Sequence, residues 1–437
     1  MIAIPALYEF YRKFPLISTD SRQVIPGSIF FALKGNRFDG NEFALTALDA
    51  GAVVAVIDDP GLRQTSNCLF VPNVLTALQR LAAWHRDSLD IPVIAVTGSN
   101  GKTTTKELIS AVLRKKFQVR ANAGNLNNHI GVPLTILSIP PETEIAVIEM
   151  GANRRGDISM LSHMAKPTHG LITNIGRAHL EGLESLDGVM EVKSELFYYL
   201  VKSKGKIFLN RNEKSLDKLA TLFRDCLGYQ SEPLLDYVDA QVQCISVNPG
   251  VVFSFRFQDQ IFQLQSSLFG EYNFQNILTA IAIGVYFGVP AVEIGSAIES
   301  FRSLSNRSQR ICIGSNIFFL DAYNANPSSV ERALDFFESV QHSNKTVILG
   351  DMLELGPDTE DAHTSVLNRI ISTPEISMVI LVGPLFERAV RNKKIAGELL
   401  HFSDVGSLKN WFDDQHFENH CFLVKGSRSI ALEKLLS

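Results

Sequence analysis

One stretch limits the fold more than any other: Val93-Ile94-Ala95-Val96-Thr97-Gly98-Ser99-Asn100-Gly101-Lys102-Thr103-Thr104-Thr105. A short, unbroken apolar run passes into a glycine turn and then into a helical pattern. An apolar strand of this kind belongs inside a parallel sheet covered on both faces. The turn and helix start that follow present free backbone N–H groups and a partial positive charge, a cradle for phosphate. Gly98, Ser99, Asn100 and Gly101 would form the loop, and Lys102 would reach the β- and γ-phosphates. Thr103 would offer a hydroxyl to Mg²⁺, with Thr104 beside it. The usual phosphate-loop pattern asks for a glycine where Val96 stands, so the loop is a shortened variant.

The same strand–turn–helix rhythm divides the chain. Before Pro92, short strands and helices are expected at Ser28–Leu33, Glu42–Ala50, Val53–Ile57 and Val74–Leu89. Asp90-Ile91-Pro92 then breaks the pattern, since proline cannot continue a helix. Further strands are expected at Ile145–Ile148, Gly170–Thr173 and Lys206–Leu209, an antiparallel patch at 241–267, and helices at 273–288 and 291–301. After a polar linker, Ser303 to Ser308, strands at 316–321, 346–350, 378–382 and 421–425 alternate with helices near 328–340, 359–371, 384–392 and 404–413. The expected organisation is α/β in three domains, 1–90, 91–306 and 307–437, as a length of 437 residues suggests at about 150 residues each. The central domain would be a parallel-sheet phosphate-loop unit, and the C-terminal one a Rossmann-like α/β unit.

The balance of 41 Lys+Arg against 46 Asp+Glu, a net charge of −5, argues against an unaided nucleic-acid binder. The longest apolar stretch, Ala280 to Val289, is interrupted by Gly284 and Gly288 and is too short to span a membrane. Glu9 stands close behind Met1–Ile4 with no basic lead-in, which speaks against a signal peptide. Five cysteines without CxxC spacing fit a reducing cytoplasm. Among polar candidates, Glu149 ends the strand Ile145–Ile148 at the ligand-binding edge of such a sheet and suits Mg²⁺. Read from the residues alone, His179 is a structural histidine and Lys193 a helix-surface lysine.

Taken in order, the phosphate loop Thr97–Thr104, Glu149-Met150-Gly151 and the segments around His179 and Lys193 resemble the Mur ligases, the ATP-dependent amide-forming enzymes of peptidoglycan precursor synthesis. That family writes its loop in the shortened form. Asn125-Leu126-Asn127-Asn128-His129-Ile130-Gly131-Val132-Pro133, Asp321 to Pro327 and Leu349 to Gly356 resemble the branch that joins D-alanyl-D-alanine to UDP-N-acetylmuramoyl-tripeptide. Thr19–Arg22 and Phe31–Gly35 resemble its uridine-nucleotide module.

The resemblance implies ATP and two Mg²⁺ ions, with Lys102 and Thr103 at the phosphates, Glu149 on one metal, and His179 on the other. Lys193 would be carbamylated and serve that second metal. Asn273 and Asn276 would meet adenine, with Tyr272 where many relatives have His. Arg307 would meet the nucleotide and Asp321 its ribose, while Leu320 replaces a second acid found in several relatives. Ser21, Arg22, Lys34, Asn125, Asn127, Asn128, Tyr323, Asn324 and Asn326 would meet the two substrates, with Ser21, Arg22 and Lys34 in the uridine-nucleotide module. The small-molecule substrates need neither nucleic acid nor membrane, and a cytoplasmic monomer is expected. The ligase that adds the third stem residue is disfavoured because its Asp-Asn-Pro-Arg signature is missing from the C-terminal region. A folylpolyglutamate-synthase-like enzyme would lack this N-terminal module, and a non-catalytic nucleotide binder would not need Lys102, Thr103, Glu149, His179 and Lys193 together.

Overall fold

The strand Val93–Thr97 is wholly buried, and alternate side chains leave it in opposite directions. Val93 and Ala95 pack with Leu196 and Leu200 on one face, while Ile94 and Val96 pack with Leu108, Ile109, Ile277 and Ile281 on the other. This explains the unbroken apolar run: both faces need it. The strand lies within a six-stranded parallel sheet ordered Leu227–Tyr229, Lys206–Asn210, His169–Ile172, Val93–Thr97, Ile145–Glu149 and Val119–Ala121. The computed structural model describes the whole chain except residues 224, 304–305, 391–397 and 437.

A four-stranded parallel sheet precedes it, ordered Ile17–Ser18, Ile29–Phe31, Val54–Ile57 and Cys68–Phe70. Its helix Val74–Asp87 packs into the same apolar cluster as Val132, Leu161 and Leu196, so the first two sheets share one core. Arg86 fastens that junction by donating to the carbonyls of Leu89, Ile91, Ala165 and Lys166. A third sheet is ordered Gln309–Ile313, Asn316–Asp321, Cys421–Lys425, Lys345–Gly350, Met378–Val382 and Glu398–Phe402. It is parallel except at its first pair, Gln309–Ile313 with Asn316–Asp321. Leu320 lies in its core beside Ile348 and Val424, an apolar position where a second acid would be unpaired.

The antiparallel patch is three strands, Ala240–Ser246, Val252–Phe257 and Gln260–Gln265. Several elements were not expected: the helices Ile4–Lys13, Gly131–Leu137 and Asp157–Ala165, and the edge strand Gln309–Ile313; the helix expected around Lys193 spans Leu186–Ser203. Pro133 lies in the first turn of the helix Gly131–Leu137, where proline is tolerated because its N–H would have no partner. Leu304 and Ser305 of the expected linker, and the last two positions of the helix expected near 384–392, lie outside the described residues.

Candidate active site

The loop after Val93–Thr97 depends on its glycines. Gly101 has φ 77°, and Gly98, at φ 143°, lies so close to Thr173 that a Cβ would come 2.0 Å from its Oγ1. Thr173 cannot easily retreat, because its hydroxyl donates to the Asn100 carbonyl at 2.6 Å. Asn174 clamps the same loop from both directions: its Nδ2 donates to Asn100 O and its Oδ1 accepts from Asn100 N. Ser99 Oγ donates to Gly176 O. We expect Gly98→Ala to cost about 1–3 kcal/mol of stability and to weaken ADP binding, both from one misplaced loop. Thermal melting and ADP titration of the purified variant check this.

Lys102 opens the helix Lys102–Leu113 and folds back so that Nζ donates to Gly98 O at 2.7 Å and Ser99 O at 3.0 Å. Burial lowers its pKa to about 8, with Glu149 opposing and Arg307 adding to the fall. It is therefore mostly charged at pH 7, half-buried at the start of the helix.

Beside the loop lies a cavity of about 360 Å³. It gathers Ser99, Asn100, Gly101, Lys102, Thr103 and Thr104 with Asn125, Asn127, Asn128, Glu149 and His179. Asn273 and Asn276 contribute from the helix Glu271–Tyr286, and Arg307, Asp321, Tyr323, Asn324 and Asn326 from the third sheet's side. Gly98 and Lys193 do not line it, nor do Ser21, Arg22 and Lys34. The two N-terminal cations are already paired: Arg22 with Asp20, and Lys34 with Asp39 and Asp58 at 3.2 Å each.

Glu149 is buried and not the solvated strand-end acid that its position alone would suggest. Its Oε1 accepts from Asn127 Nδ2 at 2.7 Å. Its Oε2 accepts no hydrogen bond among the described residues. A buried carboxylate oxygen that accepts no hydrogen bond, with the Lys106 ammonium 3.8 Å away, beside a phosphate loop suits a divalent cation. No three His, Cys, Asp or Glu side chains converge as a complete metal cage among the described residues. Mg²⁺ does not require one, since phosphate oxygens, a hydroxyl such as that of Thr103, and water complete its shell.

Lys193 corrects the surface reading. It is 1% exposed on the helix Leu186–Ser203, and its Nζ has no hydrogen-bond partner among the described residues. Burial first, and the Lys102 charge second, bring its pKa down to about 7. The signal was present in the spacing: Val189, Val192, Lys193, Leu196, Phe197 and Leu200 form one helical stripe, so this lysine occupies an apolar position. His179 Nδ1 meets Glu354 Oε2 at 2.6 Å across the junction between the second and third sheets. That contact holds the Glu354 carboxyl below its ordinary range.

At the other end, Asn276 braces the loop as well as lining the cavity. Its Oδ1 accepts from Thr105 Oγ1 at 3.0 Å and its Nδ2 donates to Asn273 Oδ1. Tyr272 lines the cavity too, its hydroxyl 3.5 Å from Ser308 Oγ, and burial pushes its phenol well above the ordinary value. The Arg307 guanidinium stands 3.4 Å from the Tyr323 ring centroid. Asp321 accepts from Ser308 N and from the buried Lys425 Nζ at 2.6 Å. Asn326 Nδ2 donates to Asn100 Oδ1 at 2.8 Å, which ties the third sheet's loop to the phosphate loop. Lys106, Lys425, Glu354 and Arg332 were missed from the sequence, because each acts through a partner distant in the chain.

Three family models match in chain order: "Mur ligase family, catalytic domain" at residues 13–86, "Mur ligase middle domain" at 96–284 and "Mur ligase, glutamate ligase domain" at 306–428. A UDP-N-acetylmuramoyl-tripeptide–D-alanyl-D-alanine ligase of Bacillus subtilis (strain 168) is 34% identical over 430 residues, covering 96% of this chain and 92% of its own. The chain belongs to the Mur ligase family. The enzyme of the same name from Escherichia coli (strain K12) is 32% identical over 426 residues, with 96% and 92% covered. Among solved structures, MurF from Acinetobacter baumannii superimposes with a TM-score of 0.84 at 28% identity, covering 96% of this Mur ligase and 92% of the neighbour. MurF ligase from Thermotoga maritima in complex with ADP gives 0.83 at 26% identity, with 96% of each chain covered. The α/β architecture of three Mur ligase units is thus shared along nearly the whole chain.

Proposed function

We propose that this Mur ligase joins D-alanyl-D-alanine to UDP-N-acetylmuramoyl-tripeptide at the expense of ATP, giving the pentapeptide precursor of peptidoglycan with ADP and phosphate. The observation that carries the reading is the one cavity in which the phosphate loop, Glu149 and the Tyr323–Asn326 string meet. Full-length relatives named for this same reaction support it.

A carboxylate is a poor acyl donor because oxide is a poor leaving group. Its oxygen attacks the γ-phosphorus of ATP, the bond to the β-phosphate bridging oxygen breaks, and an acyl phosphate and ADP result. The amine of the dipeptide then adds to the acyl carbon, and phosphate leaves as the amide forms. Protein catalysis here is mainly positioning and charge neutralisation. We assign Lys102 and the loop Gly98–Thr104 to the ATP phosphates, Asn273 and Asn276 to the adenine end, and Arg307 and Asp321 to the nucleotide's far side. Asn125, Asn127 and Asn128 would orient the acyl donor, Tyr323, Asn324 and Asn326 the dipeptide, and Ser21, Arg22 and Lys34 the uridine nucleotide. Those three tasks correspond to 1–90 for the uridine nucleotide, 91–306 for ATP and 307–437 for the acceptor.

Two Mg²⁺ ions suit the site: Thr103 and Glu149 would hold one, His179 and a carbamate on Lys193 the other. When bound, they neutralise phosphate charge. The buried, unbonded Nζ of Lys193 and its lowered pKa support the carbamate, since only a neutral amine attacks CO₂. His179 would have to exchange or share its contact with Glu354. We place the enzyme in the cytoplasm as a monomer, the location in keeping with its ATP requirement. Among the described residues no helix is long and apolar enough to cross a membrane.

A coupled assay of ADP release, crossing UDP-muramoyl peptides with candidate amines, tests the assignment. Turnover is expected only with the tripeptide nucleotide and D-alanyl-D-alanine together. Turnover with the dipeptide nucleotide and a diamino acid, but not with D-alanyl-D-alanine, would overturn it.

A further inference from the structure

The helix Lys102–Leu113 carries a second lysine one turn beyond the first, and Lys106 is only 2% exposed. An ammonium in such a place is costly unless its donors are used. Lys106 Nζ donates to the carbonyls of Asn122 at 2.8 Å and Gly124 at 3.3 Å, and stands 3.8 Å from Glu149 Oε2 and 4.0 Å from Glu107 Oε1. Its contacts therefore fall on the entrance of the 122–128 loop and on the Glu149 oxygen that accepts no hydrogen bond.

That loop is fastened to the same carboxylate by other means. Asn122 accepts from Glu149 N at 2.9 Å and donates to Glu149 O at 3.0 Å, and its Nδ2 also donates to Leu126 O. Asn127 Nδ2 donates to Glu149 Oε1, and its carbonyl accepts from Gly151 N at 2.8 Å. Within this set Lys106 is the member rooted in the phosphate-binding helix. If the loop slid by an ångström, both carbonyl contacts of Nζ would be lost.

We propose that Lys106 is a positioning residue that holds the 122–128 loop and Glu149 in register with the phosphate helix, so that the acyl donor meets the ATP phosphates at the right place. The inference rests on the reading above that Asn125, Asn127 and Asn128 face the donor. It assigns Lys106 no contact with a reacting atom. A merely structural lysine would affect melting and leave donor affinity unchanged below the melting range.

The test uses the full chain with Lys106→Met, which keeps the length of the side chain and removes its donors. We expect the KM for UDP-N-acetylmuramoyl-tripeptide to rise about tenfold or more, the range typical when a supporting hydrogen bond is removed from a site. ADP affinity measured without divalent cation should stay within about twofold, because the loop Gly98–Thr104 is untouched. Backbone hydrogen exchange across 122–128 should quicken, and Lys106→Arg, which keeps charge and donors, should recover part of the donor affinity. Should Lys106→Met fail to fold, Lys106→Gln carries the same measurements. An unchanged donor KM together with unchanged exchange at 122–128 overturns the proposal, whatever happens to the melting temperature. Exchange is read without substrates, so a wild-type enzyme that failed to use the tripeptide nucleotide would defeat the functional assignment and still leave the Lys106 contrast measurable.

Discussion

Lys102→Met should reduce kcat/KM for ADP release by about a hundredfold to a thousandfold, the range seen when one preorganised donor to a developing negative charge is removed. The size follows from the placement of Nζ. It lies at the start of the helix Lys102–Leu113, held 2.7 Å and 3.0 Å from the carbonyls of Gly98 and Ser99, and lines the cavity with Ser99 to Thr104. With a pKa of about 8 it keeps its charge at pH 7. The transferred phosphoryl group spreads negative charge over its oxygens, and a half-buried point charge held in place stabilises that charge more than bulk water would. Methionine matches the stem of lysine and lacks the charge, so the helix and loop should survive and melting should stay within a few degrees of wild type. Lys102→Arg should not restore turnover, because a planar fork on a longer stem cannot take the folded-back pose of a compact ammonium. A methionine variant retaining more than about a tenth of wild-type kcat/KM would contradict this role.

The phosphate loop was legible because its constraints are local. Val93–Thr97 needs apolar side chains on both faces, Gly98 and Gly101 need backbone conformations or clearances that other residues lack, and the helix start supplies the N–H groups. Glu149 was legible for a similar reason, as it ends a neighbouring strand at the same sheet edge. The burial of Lys106 and Lys193 was not read from the sequence, although both sit on buried helical stripes, because a lysine at helical spacing is usually solvated. Their burial is created by chain elements far away: the turn 122–124 closes over Lys106, and the sheet's covered face encloses Lys193. The third sheet's share of the site was least legible of all. Asn326 reaching Asn100 and Glu354 reaching His179 depend on how two folded units dock, and no local periodicity encodes that.

Lys193→Ala should lose turnover to a similar degree, about a hundredfold or more, and regain part of it when formate or acetate is supplied. The reasoning starts from a side chain that makes little sense as an ordinary lysine: 1% exposed, with no hydrogen-bond partner for Nζ among the described residues, and near the Lys102 charge. An ammonium there would lack a hydrogen-bond partner, and burial first and the Lys102 charge second lower its pKa to about 7 against the pull of Asp157, Glu195 and Glu149, so a large share is neutral amine at working pH. Such an amine can add CO₂, itself small and uncharged: the nitrogen lone pair forms the N–C bond, one proton is released, and a carbamate carboxylate results. The modification would replace a desolvated cation by an anion that Lys102 attracts. Alanine removes that carboxylate and leaves room, which a short carboxylic acid can fill. Lys193→Met should be equally inactive but unrescued, because its side chain occupies the vacated space. Wild-type enzyme stripped of CO₂ should lose activity and recover it with bicarbonate. Full activity of Lys193→Ala without any added acid would remove the carbamate from the reaction, whereas loss with rescue in alanine and none in methionine ties the missing carboxylate to this one position.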